Sequence, residues 1–75
     1  MAMTLMKLFD LVNMPLFDMD AEGFNELHRL EDFNNNVREV PAYISTDTLW
    51  KYKDAEITLI SWHNCGIAVR FYKGE

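Results

Sequence analysis

Residues 55–73, AEITLISWHNCGIAVRFYK, decide the fold class. Ala55 to Trp62 and Ile67 to Lys73 are two runs rich in β-branched and aromatic side chains, and His63-Asn64-Cys65-Gly66 lies between them. Two such runs around a short break carrying Asn and Gly read as a β-hairpin. Gly66 suits the left-handed position of a type I turn with a G1 bulge, which makes a three-residue loop. In that register Ile57 and Leu59 share a face with Val69 and Phe71, and Thr58, Ile60 and Trp62 share the other with Ala68, Arg70 and Tyr72. A two-residue loop would exchange these partnerships, because one step of register turns a whole strand over.

Upstream, Val40, Ala42 and Ile44 alternate in an extended stretch, and Pro41 confines it to an edge strand or a strand's first residues. Ser45-Thr46-Asp47 breaks the run. Thr48 to Tyr52 reads either as a short strand or as one helical turn capped by Ser45 or Asp47, and Lys53-Asp54 marks a further turn.

The first third of the chain reads as helical. Leu5, Leu8, Phe9 and Val12 recur at helical spacing, Thr4 can cap the N-terminus, and Asn13 with Pro15 ends the segment. The rival strand reading, from Met3, Leu5, Phe9 and Leu11, is broken by Lys7. A second helix is expected from Asp20 to about Phe33. Asp20 is a good N-cap, Phe24, Leu27 and Leu30 form one stripe beside Ala21, and Glu22, Glu26 and Arg29 lie opposite. Gly23 counts against it, and Asn34-Asn35-Asn36 stops it. The expected fold is α+β: two short N-terminal helices on a three- to four-stranded antiparallel sheet ending in a C-terminal hairpin, one domain over 1–75.

Composition bounds the function. Hydrophobic residues make up 49% of the 75, with five Phe, three Tyr, two Trp and five Met. A chain this short buries only about 60% of its unfolded surface, so part of that apolar complement should form an exposed patch. The net charge is −5. All of it sits in residues 1–36, where seven acids face two bases; residues 37–75 are balanced at five each. That disfavours direct phosphate contact and favours a basic protein surface as partner. The single cysteine, Cys65, excludes an internal disulfide, and the run from Met1 to Val12 is too short to span a bilayer and lacks a cleavage site. A cytoplasmic protein with no membrane association is expected.

Four groups of residues invite a chemical reading. His63 and Cys65 read as a thiol and base or as two metal ligands, but a tight turn offers neither a cleft nor the remaining ligands beyond His28 and acids. No catalytic residue, metal or cofactor is assigned, and an exposed turn is the simpler reading. Asp18, Asp20, Glu22, Glu26, Glu31 and Asp32 would form an acidic surface resembling a row of phosphates, against the plainer reading of a solvated helix face. Trp50, Tyr52, Trp62 and Tyr72 are candidate contact aromatics, since such side chains bury much area at little entropy cost; each is equally suited to the core. Lys51, Lys53, Arg70 and Lys73 beside them resemble a single-strand nucleic-acid surface, or the helix and wing of a winged-helix regulator, but the balancing acids Asp47 and Asp54 weaken that.

The leading expectation is a small acidic protein-binding module that occupies another macromolecule's surface, with homodimerisation through an exposed sheet face as a variant. By analogy of size and charge, it suits the inhibitors that phages and mobile elements direct against host nucleic-acid-handling or defence complexes, such as anti-CRISPR proteins. The alternatives are a winged-helix-like regulator binding DNA directly and a metal- or thiol-dependent enzyme using His63 and Cys65.

Overall fold

The computed structural model describes residues 3–26, 37–63 and 66–74. Its elements are helix α1 (Leu5–Leu11), strand β1 (Leu16–Asp18), single 3-10 turns at Phe24–Glu26 and Val37–Glu39, helix α2 (Thr46–Lys51), and strands β2 (Ile57–His63) and β3 (Gly66–Phe71). The fold is α+β. The three strands lie in the order β1-β3-β2, with β1 parallel and β2 antiparallel to β3, so the sheet is mixed and not purely antiparallel.

Both helices are set by their caps. Thr4 accepts the Lys7 backbone N–H at 3.2 Å and starts α1, and the chain turns extended at Val12. Ser45 does the same for α2 through the Thr48 N–H. Leu5 and Leu8 enter the core, whereas Phe9 of the expected apolar stripe is largely exposed. Thr46 to Lys51 is thus a helix, and among the described residues the helices are α1 and α2.

The segment expected to form a helix from Asp20 begins differently. The Asp18 carboxylate takes the Asp20 N–H at 2.9 Å, an Asx-turn that competes with helix initiation. Gly23 then adopts φ +91°, outside helical geometry, where an added Cβ would lie 3.0 Å from the Pro41 ring. Only the 3-10 turn Phe24–Glu26 follows before the described residues end, and Leu27 to Phe33 lie outside them.

β1 has no counterpart in the sequence reading. Its three residues are buried: Leu16 on the helix side, Phe17 on the other, and Asp18 at the end. The stretch Val40 to Ile44 runs along its outer edge, joined by one antiparallel bridge, Phe17 to Tyr43. The Asp18 N–H donates to Ala42 O at 2.8 Å, and the Ile44 N–H donates to Leu16 O at 2.9 Å. The alternation of Val40, Ala42 and Ile44 holds as burial, but Pro41 sits in a turn closed by the Tyr43 N–H on Val40 O, and no strand forms.

The hairpin is present in a different register. His63 pairs with Gly66, leaving a two-residue connection, and Ile60 faces Val69 while Trp62 faces Ile67. An irregularity at Thr58, between the pairs Ile57–Phe71 and Leu59–Arg70, inserts one residue and reverses the alternation. Ile57 therefore shares the Phe71 side as expected, while Leu59 falls opposite Arg70 and Ile60 and Trp62 join the Val69 side. Gly66 is a strand residue and not a left-handed turn position. Its Cβ would sit 2.4 Å from Pro15 O and 2.8 Å from the Phe17 ring, so glycine is needed for close approach.

Two clusters make the core. Leu5, Leu8, Leu16, Ile44, Leu49, Ile67, Val69 and Phe71 fill the space between sheet and helices. Phe17, Val40, Ala42 and Ala68 pack on the opposite face under Met19, Ala21, Phe24, Val37 and Tyr43.

Candidate protein-binding surfaces

The acids expected to form one negative face are divided by the fold. Asp18 is buried, and its second carboxylate oxygen meets Lys73 Nζ at 3.0 Å. Asp20 faces Arg70 Nε with both oxygens, at 3.1 and 3.2 Å, on a half-exposed surface. These pairs tie the 18–20 turn to the end of β3, so both carboxylates meet cations of the same chain. Glu22 is exposed. Glu26 lies in the 3-10 turn, and Glu31 and Asp32 lie outside the described residues.

The aromatic group separates as well. Tyr52 is half-buried on the helix-side core, its ring centroid 5.4 Å from that of Phe71. Trp50, two residues earlier, is 59% exposed, with Lys53 Nζ 5.3 Å from its ring centroid. Tyr72 is exposed beyond the end of β3, and Trp62 is 70% exposed near the end of β2. Trp50 and Trp62 belong to different elements, α2 and β2.

Sequence reasoning missed three exposed apolar side chains, Phe9 and Leu11 on α1 and Leu59 on β2, where Ile60 is exposed as well. Their exposure has no sequence signal of its own. Phe9 and Leu11 flank the buried stripe of a helix only seven residues long, and β2 lies at the sheet edge, where Ile57 packs on the helix-side cluster. A cleft of about 510 Å³ opens between α1, the 13–16 connection and Tyr43, lined by Phe9, Asp10, Asn13, Arg38 and Leu49.

His63 packs edge-on against Phe24 at 5.8 Å between ring centroids. That contact suits a role in covering the sheet face opposite the helices. Cys65 and His28 lie outside the described residues, and among the described residues no group of three or more His, Cys, Asp or Glu is placed to hold a metal. Among them, too, no helix is long and apolar enough to cross a membrane. The chain matches no known family, no curated protein and no solved structure.

Proposed function

We propose that this chain is a protein-binding module that acts by occupying a surface of another protein. The observation that carries the reading is the exposure of Phe9, Leu11, Trp50, Leu59, Ile60, Trp62 and Tyr72 on a chain of only 75 residues. Large exposed apolar side chains at this density mark contact surfaces, and tryptophan is the residue type most enriched where binding energy concentrates. Trp50, with the Lys53 ammonium over its ring, is the contact assigned to a foreign partner. Its position on a capped helix fixes the backbone beneath it.

The narrower form of the proposal takes the partner to be a host protein with a basic, nucleic-acid-handling surface, approached by Glu22, Glu26, Glu31 and Asp32, and the chain to be an inhibitor of the phage or mobile-element kind, in the cytoplasm. It rests on size and the net charge of −5. The direct DNA-binding alternative has less support, because α2 has only six residues and Leu49 is committed to the core.

The test is capture of partners from a lysate of the native host at low and high salt, with Trp50→Ala and Glu22→Lys/Glu26→Lys variants alongside. The expected result is one stoichiometric partner whose affinity falls about tenfold or more with Trp50→Ala. Loss of that partner at high salt and in the double variant supports the basic-surface form. A partner retained equally by all variants would overturn the assignment of both surfaces.

A further inference from the structure

The outer edge of β2 carries an inference that goes beyond the foreign-partner reading and stands independently of it. At its start this edge is occupied: Thr4 bridges to Glu56, and the Ile57 N–H donates to Met3 O at 2.9 Å. From Thr58 to Trp62 no backbone pairing to this outer edge is found among the described residues.

Which backbone groups point outward follows from the central strand. The Ile67 N–H is spent on Pro15 O at 2.9 Å, and Val69 O accepts the Met19 N–H at 2.9 Å, both on the β1 side. Opposed residues in an antiparallel pair either exchange both hydrogen bonds or neither. Trp62 and Ile60, which face Ile67 and Val69, therefore turn their own N–H and C=O groups to the outer edge. Natural sheet edges are usually guarded by lysine, proline or inward charges. Here no Asp, Glu, Lys, Arg or Pro occurs between Glu56 and Arg70.

We propose that this edge pairs with the same edge of a second copy, antiparallel about a two-fold axis at Ser61. Centring on Ser61 places Ile60 opposite Trp62 of the other copy, twice. Each of those pairs joins residues whose backbone groups face outward, so four N–H to C=O hydrogen bonds form. It also keeps the hydrogen-bonded pairing within residues 60–62, clear of the stretch that Met3 and Thr4 already occupy. The two Ile60–Trp62 pairs lie on one face of the joined six-stranded sheet, and cross-strand aromatic and β-branched pairs stabilise such contacts.

Area sets the strength. The exposed parts of Leu59, Ile60 and Trp62 come to about 350 Å² per copy, which with the strand backbone places the interface at the low end of specific contacts. A dissociation constant in the tens of micromolar, about −6 kcal/mol, is the corresponding expectation. Each copy carries −5, so screening the mutual repulsion strengthens the pair, the opposite of the salt response expected for an acidic face on a basic partner.

The experiment is sedimentation of the full chain up to about 500 µM, at about 0.05 and 0.5 M salt, with backbone amide exchange read by NMR across the same range. The expected result is a monomer–dimer equilibrium that tightens with salt, weakens about tenfold or more in Trp62→Lys, and slows exchange at the Ile60 and Trp62 amides as concentration rises. The Ser61 amide, which faces β3, stays protected at every concentration. A monomer throughout overturns the proposal. So does a dimer indifferent to Trp62→Lys, or one that leaves the Ile60 and Trp62 amides unprotected. Capture of a foreign partner through Trp50 is read separately and is unaffected by any of these results.

Discussion

β2 and β3 are two strands of one hairpin with similar apolar content, yet β3 is buried from Gly66 to Val69 while β2 exposes Thr58, Leu59, Ile60 and Trp62. The difference is position and not composition. β3 has a strand on each side and a core cluster on each face; β2 has one strand, and its outer half has no cover among the described residues. Hydrophobicity put both strands in a sheet, and neighbours decided which one became core. The same apolar side chains therefore support stability in β3 and are available for binding in β2.

Gly66→Ala should break this arrangement most severely. The added methyl would meet Pro15 backbone at 2.4 Å, and backbone cannot swing aside as a side chain can. A loss of about 3 kcal/mol or more is expected in chemical denaturation, against a total stability of about 4–10 kcal/mol for a chain of this length. Unchanged stability would mean the β1–β3 contact is not as close as described.

The contrast between the strands is sharpened by a matched pair of truncations. Ile67→Ala removes a fully buried side chain and should cost about 2–4 kcal/mol, whereas Ile60→Ala, 40% exposed, should cost about 1 kcal/mol or less. Equal losses, measured in dilute protein, would erase the distinction drawn here.

The hairpin was legible because two β-rich runs flank a polar break, and α1 because Thr4 precedes Leu5 and Leu8 at helical spacing. The register was not, since a single extra residue at Thr58 reverses strand parity without altering composition. β1 escaped because three residues carry no periodicity, and Leu16 and Phe17 serve opposite faces. The Asp20 helix start was misread because the same side chains that cap helices also close turns, and here Asp18 closes one over Asp20. At the candidate surfaces the residue types could be read but not their exposure: Tyr52, capping the end of α2, packs against Phe71, while Trp50 within the helix faces outward.

Effects smaller than that of Ile67→Ala should come from the two aspartates. Asp18→Ala leaves the part-buried Asp20 N–H without its acceptor and Lys73 without its partner, and should cost about 1–2 kcal/mol. Asp20→Ala removes a half-exposed ion pair and should cost about 0.5 kcal/mol or less, vanishing in high salt. Denaturation midpoints at two salt concentrations separate them, and a larger loss at Asp20 would reverse their roles.

The central strand of the sheet follows both of its neighbours in sequence. Leu16–Asp18 and Ile57–His63 have no strand to join until Gly66–Phe71 has been synthesised, and β1 must wait for a partner some fifty residues downstream. A nascent chain halted before Gly66 would hold both edges and no middle. Sheet assembly therefore waits until Gly66–Phe71 has emerged from the ribosome, and the slow step in refolding should be closure of the long loop that brings Leu16 to Ile67.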